Sequence, residues 1–281
     1  MAKVAVVTDS TAMLPDADGV VVVPTQIVID ETAYDDGTPE SSPEALVAAL
    51  EERRTVSTSR PSRVALEETY AALADEGYDE IVSVHLSAEM SGTFECAQVA
   101  ARTAPVPVVA VDTRAVGPCL GFAVLAAAHA VAGGASAQEA ADAATARAQA
   151  TESLFYVDTL EYLRRGGRIG AARAVLGSAL AVKPLLGVDD GRVVLRERVR
   201  TAGRALSRLE ELAVEAAGDR EIEIAVAHLG ASDRAGELAS HLRDQLAAGL
   251  GGRDVRCWQL GAVLGAHVGP GTLAVVVAPA L

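Results

Sequence analysis

Aromatic residues are scarce in this chain: three Phe, one Trp and five Tyr among 281 residues. Half of the residues are nonetheless hydrophobic, so the core must be built from Ala, Val and Leu, which suits close helix–sheet packing. Cysteine is nearly absent. Cys96, Cys119 and Cys257 are widely spaced and show no C-x-x-C pattern, which speaks against a disulfide framework and against a zinc site. Positive charge is also in deficit, with 24 Lys and Arg against 38 Asp and Glu, a formal net charge of −14. Nucleic-acid binding and electrostatic docking to anionic lipid both need basic patches and are disfavoured. The longest apolar run, Leu120 to Ala132, contains His129 and is too short to span a bilayer. The first residues, MAKVAVVTDS, lack the apolar core and cleavage site of a signal peptide, so a cytoplasmic location is expected. No metal and no cofactor are expected. G-x-G-x-x-G is missing, and Lys183 has neither the preceding Gly nor the following Ser or Thr of a phosphate loop.

What is present alternates between strand-like and helix-like segments, the pattern of an α/β protein with a mainly parallel sheet flanked by helices. The length suits two α/β domains, expected over 1–152 and 153–281. Apolar runs predict strands at Lys3 to Val7, Val20 to Ile29 (interrupted at Pro24 and Thr25), Glu80 to Leu86 and Val106 to Val111. Ser42-Pro43 opens a helix to about Arg53, and Ser136 with Glu139 forms a capping box for a helix to Ala150. In the second half, Asp189-Asp190-Gly191 predicts a hairpin turn. Helices are expected from Ala202 and Ser232, with strands at Glu221 to His228, Val255 to Leu260 and Thr272 to Val277.

Four features carry chemistry. In S-V-H-L-S-A-E-M-S-G-T-F-E-C-A, Ser83 to Ala97, a buried strand leads to a helix expected to start at Ser91. The Ser91 hydroxyl caps that helix in this reading, and Gly92 lets an anion approach the amides. Val56 to Ser62 reads as a hydroxyl-dense turn. Arg164, Arg165 and Arg168 either hold an anion or a partner's acidic surface, or complement a helix end. Gly261 to Gly271 reads as a tightly turned loop around His267, whereas His85, His129, His228 and His241 are read as structural.

Thr58, Ser91 and His267 together make a seat for one carboxylate, with His267 adding charge if protonated. A Ser with a His also admits an acyl hydrolase or transferase using Ser91 and His267. E-M-S-G-T is not the G-x-S-x-G elbow, and no acid partner for His267 is evident.

The chain resembles the DegV family, whose members include the fatty-acid-binding subunit of bacterial fatty acid kinase. The resemblance runs over essentially the full length. It rests on V-T-D-S-T-A (Val7 to Ala12), T-S-R-P (Thr58 to Pro61), S-G-T-F-E-C-A (Ser91 to Ala97) and T-L-E-Y-L-R-R-G-G-R-I-G (Thr159 to Gly170). K-P-L-L (Lys183 to Leu186), V-R-T (Val199 to Thr201) and G-A-H-V-G-P-G (Gly265 to Gly271) complete it.

The resemblance implies a long-chain fatty acid buried with its carboxylate between the domains, held by Thr58, Ser91 and His267. It implies that Arg168 and Arg200 lie near the head group and help hold phosphate or dock the partner. That partner is a dihydroxyacetone-kinase-like, ATP-dependent fatty acid kinase subunit, which makes acyl phosphate for phospholipid synthesis. The chain itself would then be a binding subunit without catalytic activity, or a regulatory lipid sensor. Arg60 departs from the family, which more often has Gln there. Each buried methylene is worth about 0.8 kcal/mol, so a long chain carries roughly 12 kcal/mol into an enclosed apolar pocket.

Overall fold

The computed structural model describes residues 2–14, 19–175 and 183–281. The first half contains strands β1 (Val4–Asp9), β2 (Val20–Val23), β3 (Gln26–Ile29) and β4 (Thr32–Asp35), then helix α1 (Pro43–Glu51) and β5 (Val56–Ser59). Next come helix α2 (Arg63–Asp75), β6 (Glu80–His85), α3 (Thr93–Ala101), β7 (Val108–Asp112), α4 (Pro118–Ala132) and α5 (Ala137–Ala150). The second half runs through β8 (Glu152–Tyr156), α6 (Glu161–Arg165), β9 (Lys183–Asp189), β10 (Arg192–Val199) and α7 (Ala202–Ala217). It closes with β11 (Ile222–His228), α8 (Ser232–Gln245), α9 (Ala247–Leu250), β12 (Arg256–Gln259), α10 (Ala262–Val268) and β13 (Leu273–Pro279).

These strands form three sheets. The order β2-β1-β6-β7 is wholly parallel, as the βα succession predicts. A six-stranded sheet, β10-β9-β8-β13-β11-β12, is antiparallel except between β11 and β12. A third, β4-β3-β5, is a small antiparallel sheet. It accounts for two departures from the sequence expectations. Pro24-Thr25 does not bulge one strand but passes the chain from β2 in the parallel sheet to β3 in the small one. The hydroxyl-rich stretch is no turn, because Val56–Ser59 pairs with β3 as β5.

Packing obeys side-chain alternation. Ala5, Val7 and Ile81 pack on α2 and α3, whereas Val4, Val6, Val82 and Val84 pack on α4 and α5. That second cluster also takes in Ala225, Val276 and Ala278 of the six-stranded sheet, so α4 and α5 form a layer shared by both large sheets. Apolar all round, α4 suits such a doubly covered position. The opposite face of the six-stranded sheet, including Leu154, Tyr156, Val275 and Val277, packs on α7 and α8.

The Ser136–Glu139 capping box forms as expected, and so does the β9–β10 hairpin. After the paired glycines the sequence reads as starting a helix around Ala171; the structure has a 3-10 segment there, Gly170–Val175. No helix among the described residues is long and apolar enough to cross a membrane.

Candidate functional site

Strand alternation turns Thr58 inward between the exposed Ser57 and Ser59. Its hydroxyl stands 2.8 Å from Nε2 of His267. The histidine lies in the last turn of α10; the glycine-rich segment expected as a loop is thus largely helical, and its glycines serve close packing. A Cβ on Gly265 would overlap Leu46 of α1, one on Gly166 would overlap Nδ1 of His267, and one on Gly269 would overlap the Tyr162 ring of α6. Small residues therefore let α10 sit tightly between α1 and α6.

At its other end, α10 is met by Asp36. Burial pushes the Asp36 carboxyl up, while the Ser10 hydroxyl and the backbone N–H groups of Val263 and Ala262 oppose that shift. In the sequence Asp36 reads only as part of an acidic loop. Nothing local signals that it meets a helix more than two hundred residues later.

Nδ1 of His267 is buried and has no hydrogen-bond partner among the described residues. An orphaned buried N–H is rarer and costlier than an under-used acceptor. We therefore assign the proton to Nε2, which donates to the Thr58 oxygen and leaves the Thr58 O–H to donate to a ligand. Burial first, and then Arg168, lowers the His267 pKa to about 4. The imidazole is neutral near pH 7 and adds no charge beside Thr58.

Ser91 also borders this site, but not as the expected cap. Helix α3 begins at Thr93, its N-cap is Gly92 without a side-chain bond, and the Ser91 hydroxyl pairs with Thr93 Oγ1 at 2.9 Å. The first amides of α3 therefore remain available beside it. Gly92 does not line the cavity; the Arg60 guanidinium lies over it, where a Cβ would overlap Nη1.

Arg164 and Arg165 are both engaged by Glu161 at 2.7–2.9 Å, and that carboxylate is held at about 2, by Arg164 first. Of the three, only Arg168 lines the cavity behind Thr58 and His267, and it donates to the carbonyl oxygens of Met90 at 2.9 Å and Gly166 at 2.5 Å. Arg200 is not brought there. It is exposed and borders a separate open cleft with Arg198 and Arg204.

Behind the Thr58–His267 pair lies a cavity of about 140 Å³, some ten times what one water needs. Its polar end holds Thr58, Arg60, Ser91, Arg168 and His267; its walls include Leu86, Val116, Phe155, Leu264, Ala274 and Val276. Phe155, Ala274 and Val276 lie on one face of the six-stranded sheet, opposite the face that packs on α7 and α8. The alternation of β8 and β13 was the available sequence signal for them, but it does not say which face is hollow. In front of the pair, a second cleft of about 180 Å³ is lined by Arg54, Ser57, Tyr162 and Arg165 and shares Thr58, Arg168 and His267 with the cavity. The pair thus stands between a largely apolar chamber and a more polar cleft.

The model of the family described as "Uncharacterised protein, DegV family" matches residues 3–280. The chain belongs to the DegV family. A DegV domain-containing protein of Streptomyces coelicolor is 53% identical over 98% of both chains. Among solved structures, DegV, a fatty acid binding protein from Bacillus subtilis, superposes with a TM-score of 0.90 at 30% identity, covering 100% of both chains. A DegV family protein of Thermus thermophilus, described for its fatty acid binding, superposes with a TM-score of 0.88 at 31% identity over 99% of this chain and 100% of that one. This DegV family chain therefore shares the α/β fold of proteins that bind fatty acids, and its chamber lies within that shared fold.

Proposed function

We propose that this protein is a fatty-acid-binding protein that buries a long acyl chain in the apolar cavity and seats its carboxylate at Thr58, Ser91, Arg60 and His267. The observation that carries the reading is the Thr58–His267 pair at the polar end of a largely apolar chamber. Thr58 donates its proton to one carboxylate oxygen. The Arg60 and Arg168 guanidinium groups and the amides at the start of α3 offset the negative charge. Burial disfavours the ionised carboxylate, and these donors oppose that effect.

The carboxylate borders the second cleft, and a phosphoryl donor reaches it from that side. In this reading the protein presents the acid to a separate ATP-dependent, dihydroxyacetone-kinase-like subunit, which forms acyl phosphate for phospholipid synthesis. The head group then lies between the halves 1–152 and 153–281, and the exposed Arg200 belongs to the surface that meets the kinase. A hydrolase reading is less favoured, because His267 bonds Thr58 and Ser91 bonds Thr93, which gives Ser91 no base. A lipid sensor would use the same seat without phosphorylation.

Denaturing extraction with mass spectrometry, combined with native mass spectrometry of the purified protein, tests this. Near-stoichiometric fatty acid, reduced in Thr58→Ala, is expected. An empty protein that also refuses added fatty acid would sink the reading.

A further inference from the structure

The cavity is bordered by seven Ser and Thr residues, and six have a side-chain hydrogen-bond partner within the protein. Thr11 bonds Asp9 at 2.5 Å, Thr25 bonds Ser10 at 2.7 Å and Thr58 bonds His267 at 2.8 Å. Ser59 donates to the Arg60 carbonyl at 3.2 Å, Ser91 bonds Thr93 at 2.9 Å and Thr272 donates to the Gly269 carbonyl at 2.8 Å. The seventh, Ser153, has no side-chain hydrogen bond among the described residues, although it is only 8% exposed and lines the cavity.

Its depth is set by strand register. Thr272, just before β13, and Ala274 and Val276 within it line the cavity in succession. Thr272 marks the head-group end, since its hydroxyl also reaches the carbonyl of Val268, next to His267. Ser153 is the cross-strand partner of Val276, two residue pairs beyond Phe155 and Ala274 and on the same face. At the rise of an antiparallel strand, four residues place it roughly 14 Å from the Thr272 level. The neighbouring lining there, Phe155, Ala274 and Val276, is apolar. A water held at that depth needs two to four polar partners, and these side chains supply none.

We propose that Ser153 is a specificity-determining residue that recognises an oxygen, hydroxyl or oxo, carried well down the acyl chain from the carboxylate. The inference rests on the fatty-acid reading above. A saturated chain leaves the Ser153 hydroxyl without a partner, whereas a chain oxygen gives it a hydrogen bond.

The test uses delipidated full-length protein titrated with stearic acid and with mid-chain hydroxystearic acids in the wild type, Ser153→Ala and Ser153→Thr. The preference for a hydroxy acid over stearic acid is expected to fall about tenfold in Ser153→Ala and to return in Ser153→Thr. Ser153→Cys, similar in shape and a weaker donor, carries the same comparison should the alanine variant fold poorly. An equal preference ratio in the wild type and the hydroxyl-free variant overturns the assignment while leaving fatty-acid binding intact. Wild-type protein that binds neither acid overturns both.

Discussion

The hydroxyl of Thr58 and Nε2 of His267 stand 2.8 Å apart although 209 positions separate them in the chain. Each residue needs the other in place, one on an edge strand of a small sheet and the other on a short helix. With the proton on Nε2, the bond also fixes the direction in which Thr58 donates. Thr58→Ala and His267→Ala should each weaken fatty-acid binding about five- to tenfold, the worth of one lost hydrogen bond. Because they share that bond, the double variant should be little worse than the poorer single one. Calorimetric titration of the four proteins checks this, and strictly additive losses would mean that the two side chains act separately.

Gly166 makes the pairing possible by lying against the imidazole. In Gly166→Ala the new methyl overlaps Nδ1, so the ring or α6 must move, and a loss of about 1–3 kcal/mol is expected. Gly203→Ala is the control: a Cβ there meets nothing within 4 Å, and a helical alanine costs nothing. Thermal denaturation of both variants decides the point. Equal melting temperatures would show that the contact at Gly166 is easily relieved.

The depressed pKa of His267 links stability to pH. The unfolded histidine titrates near 6.5 and the native one near 4, so between those values the unfolded state holds the extra proton. Stability from this group is therefore complete above about 6.5 and is lost as pH falls towards 4, by at most about 3 kcal/mol. His228 is also lowered by burial and acts in the same direction, but it is present in both proteins of the comparison. Urea unfolding at pH 7.5 and 4.5 should show a smaller acid loss in His267→Gln than in the wild type. Identical losses would place the acid sensitivity elsewhere.

Arg168 and Arg200 should separate by assay. Arg168 lines the cavity and lowers the His267 pKa, so Arg168→Ala should weaken acid binding several-fold and raise the histidine's pKa, as read by NMR. Arg200 is exposed outside the cavity, and Arg200→Ala should leave affinity for the acid within twofold. A several-fold loss in Arg200→Ala would place its side chain at the head group after all.

Local pattern and tertiary structure divide this protein unevenly. The succession of strands and helices, the Ser136–Glu139 cap, the Asp-Asp-Gly hairpin and the wholly parallel first sheet come from periodicity and turn chemistry, which act within a few residues. So does the choice of Thr58, Ser91 and His267 as polar groups worth attention.

The elements that carry those groups were not legible. Val56–Ser59 is rich in hydroxyls and reads as a turn, yet it becomes a strand because β3 offers it an edge. Gly261–Gly271 reads as a loop, but Asp36 meets the start of α10 and Leu46 presses where Gly265 has no side chain, so Ala262–Val268 is helical. Arg164, Arg165 and Arg168 look alike in sequence, and only the position of Glu161 leaves Arg168 to the site. The hollow behind Thr58 is the clearest case. The alternation of β8 and β13 distinguishes two faces, both covered by helices, but only the stacking of both sheets about α4 and α5 decides which of them also borders the cavity.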